Sequence, residues 1–120
     1  MDELFGDNVI TLEIPTDEIL EGLPKQEADQ IKYIMQTLTS KDDSTDELVN
    51  YIKYGFEACK YKDIFNYTCF AMALNLLLWD TYKKDPELAT IYEEAWFLFD
   101  SSVAKFYQGE DLEYYFKLTR

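Results

Sequence analysis

The stretch IFNYTCFAMALNLLLW, from Ile64 to Trp79, decides which fold this sequence adopts. It carries no charged residue, and Asp63 and Asp80 close it at its two ends. Hydrophobic periodicity does not separate a buried strand from a buried helix, but sixteen residues exceed the usual strand and suit a helix. A helix that is apolar on nearly all sides lies either across a bilayer or inside a bundle.

The length of this stretch decides against a membrane span. Crossing the apolar part of a bilayer takes about 20 apolar residues. The stretch is shorter, includes Asn66 and Asn75, and is flanked by aspartates. We therefore predict that it forms the central buried helix of an all-α bundle, over residues 64–83.

Start signals divide the rest of the chain into further helices around this one. Thr16 and Asp63 suit helix starts, and Asp85-Pro86 combines a cap with a proline in the first turn. The apolar seams predicted to face the core are Ala28, Ile31, Ile34, Met35 and Leu38; Leu48, Ile52, Gly55, Phe56 and Cys59; and Leu112, Tyr115 and Phe116. Glycine in mid-helix predicts close approach of the central helix at that point. Residues 16–120 should form a bundle of four main helices and one or two short ones.

The fifth helix carries more apolar surface than one neighbour can cover. One stripe consists of Leu88, Ile91, Ala95, Leu98, Ser102 and Phe106, and the next of Tyr92, Trp96, Phe99 and Val103. Two such stripes are wider than the face of a helix that packs on a single partner. The helix therefore packs on two helices, or it offers an aromatic strip that includes Tyr92 and Trp96 to another protein.

Residues 1–15 are predicted to be an extended arm of the same domain, which spans residues 1–120. Residues 8–14 alternate between two faces, with Ile10, Leu12 and Ile14 on one of them, and Pro15 ends the pattern. A single strand needs a partner, and three interpretations are open. The segment packs on the helices, pairs with its copy in a dimer, or adds to a sheet edge of another protein.

Charge is the most informative feature of the composition. The formal net charge is -13 and the isoelectric point is about 4.2. Thirteen of the acids lie in residues 1–50, which hold only three lysines, and the single arginine is Arg120. Because such a charge repels phosphate groups, direct binding to nucleic acid or to an anionic membrane surface is disfavoured.

The residue types that most chemistry requires are scarce. There is no histidine, and the four glycines are isolated, so neither a histidine-based catalytic site nor a glycine-rich phosphate loop is available. The acidic loop at 42–47 lacks the spacing and the central glycine of an EF-hand. We predict no catalytic, cofactor-binding or metal-binding residue, no cofactor, and no enzyme activity.

Two cysteines and the start of the chain bear on the compartment. Met1-Asp2-Glu3 opens the sequence, without the basic and then apolar pattern of a signal peptide. Cys59 and Cys69 are expected to be free, buried thiols in a cytoplasmic protein. A disulfide between neighbouring helices is the alternative.

The tyrosines are the second compositional excess. Six of them do not fit the predicted seams easily: Tyr33, Tyr51, Tyr54, Tyr82, Tyr92 and Tyr114. They either sit at the rim of the bundle with hydroxyls in water or contribute to a protein-binding surface.

These observations predict a non-catalytic, acidic protein-binding module. We expect an inhibitor that engages a basic surface of a nucleic-acid-handling protein, in the style of DNA mimics, anti-CRISPR and anti-restriction factors or antitoxins of phages and mobile elements. The expected contact residues are Asp17, Glu18, Glu21, Asp29, Asp42, Asp43, Asp46, Tyr92 and Trp96. The alternative is a structural or adaptor bundle that forms a homodimer through residues 9–14 and an aromatic strip of Tyr92, Trp96 and Phe99. A metal-dependent carboxylate enzyme is a third hypothesis.

Overall fold

Five helices surround or flank a sixth in the part of the chain that the structure describes. The computed structural model describes residues 16–40 and 45–120. The helices are α1 (Thr16–Glu21), α2 (Lys25–Thr39), α3 (Thr45–Cys59), α4 (Ile64–Thr81), α5 (Pro86–Phe106) and α6 (Glu110–Thr119). The predicted all-α bundle, with four main helices and two short ones, is confirmed. The strand predicted at residues 8–14 lies outside the described residues, and so do Asp42 and Asp43.

The central position predicted for the uncharged stretch is also confirmed. Helix α4 contacts α2, α3, α5 and α6, and every residue from Tyr67 to Leu74 is buried. The helix ends at Thr81, two residues before the predicted end, where the Thr81 hydroxyl donates to the carbonyl of Leu77 at 2.8 Å. Its last turn leaves the core, because the side chain of Trp79 is 50 % exposed. None of the described helices is long and apolar enough to cross a bilayer.

Aspartate side chains start α4 and α5 as the sequence predicts. Asp63 accepts a hydrogen bond from the N–H of Asn66, and Asp85 accepts one from the N–H of Leu88, both at 3.1 Å. These bonds satisfy N–H groups that the first turn of a helix leaves without a partner. The connections before both helices are short, so α3, α4 and α5 run antiparallel in sequence order.

The close approach predicted at Gly55 is present. A Cβ atom on Gly55 would overlap the ring of Phe70, which is buried on α4. The Phe70 ring in turn stacks on Phe99 of α5, with ring centroids 5.1 Å apart. Gly55 therefore lets an aromatic side chain of the central helix lie directly against the backbone of α3.

The predicted seams of α2 and α3 are correct, and that of α6 is correct in part. Ala28, Ile31, Ile34 and Leu38 of α2 are buried, as are Leu48, Ile52 and Phe56 of α3. In α6, Tyr115 is fully buried, but Phe116 is 37 % exposed, so its predicted inward position is wrong. One helical step separates the two residues, and the Phe116 ring instead meets the guanidinium of Arg120 at 5.1 Å.

Helix α5 buries its wide apolar face against several neighbours. It contacts α3, α4 and α6, which matches the first of the two predicted explanations. Tyr92, Phe99 and Val103 are fully buried, so an exposed strip of Tyr92, Trp96 and Phe99 is a wrong prediction. The large apolar side chains that α5 does expose are Phe97, at 65 %, and Leu98, at 41 %.

Tyrosine hydroxyls tie the helices together where α3 and α5 end and α4 begins. We call this region the aromatic end; it consists of Phe56, Tyr61, Tyr67, Phe106, Tyr107 and Tyr115. Tyr67 donates to the carbonyl of Phe99 at 2.6 Å, and Tyr107 donates to the carbonyl of Cys59. Tyr115 donates to the carboxylate of Asp100 at 3.2 Å, and burial raises its pKa. Part of the tyrosine excess therefore belongs to the core.

Candidate partner-binding end

Four helices bring a terminus to the end of the bundle opposite the aromatic end. Because α3, α4 and α5 are antiparallel, the start of α3, the end of α4 and the start of α5 lie together. The start of α1 joins them, since the Thr16 hydroxyl donates to the carboxylate of Asp80 at 2.8 Å. Thr45 and Asp85 line one cleft, which confirms that α3 and α5 begin side by side.

Exposed carboxylates accumulate at this end. We call it the acidic end; its carboxylates are those of Asp17, Asp46, Glu47, Asp80, Asp85 and Glu87. All six residues are exposed. Among the described residues, the lysines of the same region are Lys32, Lys83 and Lys84, so the described acids outnumber the described lysines there.

The local sequence explains why acids collect here. Asp17, Asp46, Glu47 and Glu87 each lie in the first turn of a helix. The partial positive charge at a helix N-terminus stabilises a carboxylate by about 0.3–1 kcal/mol, which offsets part of the repulsion between neighbouring acids. Asp85 is the N-cap of α5 and belongs to the same pattern.

A half-exposed tryptophan lies beside these carboxylates. Trp79 directly precedes Asp80, and its ring meets the ring of Tyr82 edge-on, with centroids 5.6 Å apart. The amine of Lys83 lies 5.6 Å from the centre of the Tyr82 ring. Tryptophan and tyrosine are the residues most enriched among those that contribute strongly to protein interfaces. The acidic end therefore combines charge with an apolar contact point.

The predicted acidic contact residues are only partly brought together. Asp17 and Asp46 lie at the acidic end; Glu18 is exposed in the same first turn of α1 as Asp17, and Glu21 is exposed at the last residue of α1. Asp29 is exposed on α2, where its carboxylate accepts a hydrogen bond from Lys25 at 2.6 Å, and this bond lowers the pKa of Asp29. The remaining two, Asp42 and Asp43, are the acids that lie outside the described residues.

Of the two predicted aromatic contact residues, one is buried and the other is half-buried. Tyr92 is fully buried, so its proposed contact with a partner is a wrong prediction. Trp96 is half-buried, and its indole N–H is buried with no hydrogen-bond partner among the described residues. Tyr92 belongs to the hydrophobic core, and Trp96 packs against that core.

The contact residues predicted from the sequence do not include Trp79 or four acids of this surface: Glu47, Asp80, Asp85 and Glu87. Asp85 carries a clear local signal, but that signal indicates a helix start and says nothing about its neighbours. These residues come together because α3, α4 and α5 run antiparallel. This order places each terminus of the three helices at one of the two ends of the bundle. Marking the acids at those termini would have found the acidic end.

The groups of the described chain that could carry chemistry are dispersed or buried. The described residues contain no group of three or more cysteine, aspartate or glutamate side chains arranged to hold a metal ion. Both cysteines are free, and burial raises the pKa of Cys59 to about 11 and that of Cys69 to about 12. Such thiols stay protonated and unreactive near neutral pH.

Comparisons with known proteins add nothing to this geometry. No family model, no curated protein and no solved structure matches the chain.

Proposed function

We propose that this protein is a non-catalytic binding module whose acidic end engages a basic surface of a nucleic-acid-handling protein in the cytoplasm. One observation carries the proposal: helices α1, α3, α4 and α5 place exposed carboxylates at a single end of the bundle, beside the half-exposed Trp79. The partner surface would be rich in lysine and arginine.

Electrostatics supports this choice of partner. Carboxylates held at fixed spacings on a rigid scaffold resemble the phosphates of a nucleic acid, and a basic groove attracts both. The net charge of -13 speeds the encounter with a cationic surface and repels anionic competitors. By occupying the groove, the module would keep nucleic acid out and act as an inhibitor.

Trp79 supplies the part of the contact that salt does not screen. A charged rim changes association rates, whereas a desolvated aromatic side chain near the centre of an interface slows dissociation. Trp79 is suited to this role because half of its side chain is already free of the core. Replacing Trp79 by a small polar residue should therefore reduce the affinity for the partner more than it reduces the stability of the fold.

Affinity capture from the source organism tests the proposal. Immobilised protein is exposed to lysate at about 50 mM salt, and bound proteins are eluted with salt rising to about 500 mM. We expect a nucleic-acid-binding protein that elutes within this range and that double-stranded DNA or RNA displaces competitively. Trp79→Ser should abolish its capture, whereas the control Tyr54→Ser, which alters a side chain that is 77 % exposed on α3, should retain it.

Three results would overturn the proposal. The first is a captured protein that stays bound at about 500 mM salt, because charge would then contribute little. The second is a captured protein that nucleic acid does not displace. The third is equal capture by the Trp79 and Tyr54 variants, which would separate the contact from the acidic end.

A further inference from the structure

A shallow apolar groove lies between α3 and α5, along the side of the bundle. Its volume is about 190 Å³, and its lining consists of Val49, Ile52, Lys53, Ile91, Glu94, Ala95 and Leu98. Ile52 and Ala95 form its buried floor, while Val49 and Ile91 are half-buried. Helices α3 and α5 each pack on α4, and the groove marks the line where their side chains leave a gap.

An exposed apolar side chain lies at the edge of this groove. Leu98 is 41 % exposed, and the adjacent Phe97 is 65 % exposed. Large apolar side chains exposed next to an apolar groove mark a contact site more often than isolated ones do. One face of the molecule therefore has both an apolar groove and an exposed apolar side chain.

The two walls of the groove carry opposite charges. Lys53 is exposed on the α3 wall and Glu94 is exposed on the α5 wall. Within the described part of the chain, no ion pair neutralises either of them. The two opposite charges make the groove locally neutral, although acids strongly outnumber lysines in the chain as a whole.

We propose that the occupant of this groove is a second copy of the chain. In a two-fold symmetric dimer each contact occurs twice, with residue i of one copy facing residue j of the other. Leu98 of one copy would then enter the groove of its partner, and Lys53 of each copy would face Glu94 of the other. A groove whose walls have opposite charges fits its own copy when the two-fold axis runs along the groove, because this rotation places each wall opposite the wall of opposite sign.

The effect of salt concentration distinguishes the proposed dimer from the proposed binding of a basic partner to the acidic end. Two copies of a chain with a net charge of -13 repel each other, so screening of that repulsion should strengthen an apolar dimer. Binding of a basic partner to the acidic end should weaken under the same change. The dimer does not depend on the proposed function, and the two fail under different experiments.

Sedimentation equilibrium over a concentration range up to about 100 µM, at about 50 and about 500 mM salt, tests the dimer. We expect a monomer–dimer equilibrium that tightens at the higher salt concentration. Leu98→Ser should give a monomer, whereas Phe116→Ser, the same kind of change at an exposed apolar residue of α6, should still dimerise.

Charge reversal tests the pairing itself. Lys53→Glu and Glu94→Lys should each weaken the dimer by roughly fivefold to tenfold, because each places like charges opposite each other twice. The double variant Lys53→Glu/Glu94→Lys should recover the original dissociation constant within about twofold. Recovery in the double variant would show that the weaker binding of the single variants comes from the charge pairing and not from a general loss of structure.

A strictly monomeric protein over this range would overturn the proposal, whatever else covers the groove. A dimer that Leu98→Ser leaves intact would move the contact to another face. Failure of the double reversal to restore the dimer would exclude the proposed pairing of Lys53 with Glu94.

Discussion

The two ends of the bundle use their polar groups in opposite ways. At the aromatic end, the hydroxyls of Tyr67 and Tyr107 donate to main-chain carbonyls, and rings from several helices contact one another. At the acidic end, carboxylates from four helices point to solvent, and Trp79 remains half-exposed. The polar groups of one end are buried between the helices, whereas the carboxylates of the other end are exposed.

The difference separates stability from binding in this protein. Buried aromatic contacts and satisfied hydrogen bonds stabilise a fold, whereas exposed charges typically contribute less than about 1 kcal/mol each. Changes at the aromatic end should therefore unfold the chain, and changes at the acidic end should leave it folded.

Alkaline pH should lower the free energy of unfolding, because it charges buried thiols and buried tyrosines of the core. Burial raises the pKa of Cys59 from 9.0 to about 11 and that of Cys69 to about 12, and it also raises the pKa of Tyr67 and Tyr115. A raised pKa in the folded state means that the stabilisation is complete below the unfolded value and is lost as pH rises through the folded value. The melting temperature should therefore hold up to about pH 9 and fall steeply toward pH 12. A melting temperature that stays constant across this range would contradict the burial of these groups.

Phe99→Ala should be the most destabilising single change. Phe99 is fully buried, and its ring contacts those of Phe56, Tyr67 and Phe70 within 5.1 Å between centroids. Loss of a buried phenylalanine typically costs about 3–5 kcal/mol of unfolding free energy. Phe97→Ala, two positions earlier and 65 % exposed, is the matched control and should change it by less than about 0.5 kcal/mol. Urea unfolding measures both, and similar losses would place α5 in a different orientation.

Gly55→Ala should destabilise the protein although alanine is the better helix former. The added methyl group would overlap the Phe70 ring, and overpacking of this kind costs about 1–3 kcal/mol, more than the roughly 1 kcal/mol gained in helix propensity. Combining it with Phe70→Leu should leave room for the methyl group, so the two changes together should cost less than their sum. Additive losses in urea unfolding would show that the two residues do not touch.

The two helix caps should differ because they lie at different ends. Asp63→Ala should cost about 1 kcal/mol, since the carboxylate caps α4 at the aromatic end. Asp85→Ala loses an equivalent cap but also relieves repulsion within the acidic end, so its cost should be smaller. Raising the salt concentration should bring the two values together, because salt screens the repulsion. Thermal unfolding at low and high salt checks this, and a difference that does not depend on salt would contradict it.

The sequence predicts most of the fold because its signals are local. The uncharged stretch identifies α4, one-face patterns identify the seams of α2 and α3, and Asp63 and Asp85 start their helices as expected. The sequence did not decide whether other helices or a partner cover Tyr92, and it did not predict the exposure of Leu98, which lies in an apolar stripe. Both depend on which neighbours cover α5. Tyr61 adopts a left-handed conformation, with φ of 74°, that no residue type in its turn indicates.

The candidate site was predictable only in part for a related reason. Asp17 and Asp46 follow from the excess of acids in the first part of the sequence. Asp80 and Asp85 lie in a part of the sequence that is nearly balanced in charge, and they join the acidic end through the antiparallel packing of α4 and α5. Charge counted along the sequence locates an acidic segment, whereas charge placed on the fold locates a surface.

The separation of binding from stability can be tested with two matched pairs of charge reversals. Asp46→Lys/Glu87→Lys alters the acidic end, and Glu110→Lys/Glu113→Lys alters α6. All four residues are exposed acids in the first turn of a helix, so both pairs make the same change in net charge and in helix-dipole energy.

The dissociation constants of the two variants for the captured partner, measured at about 50 mM salt, test the claim that the partner binds the acidic end. Reversal at the acidic end should weaken binding at least about tenfold more than reversal on α6, a difference of about 1.4 kcal/mol. Equal weakening by the two pairs would contradict the claim, because the partner would then respond to net charge alone.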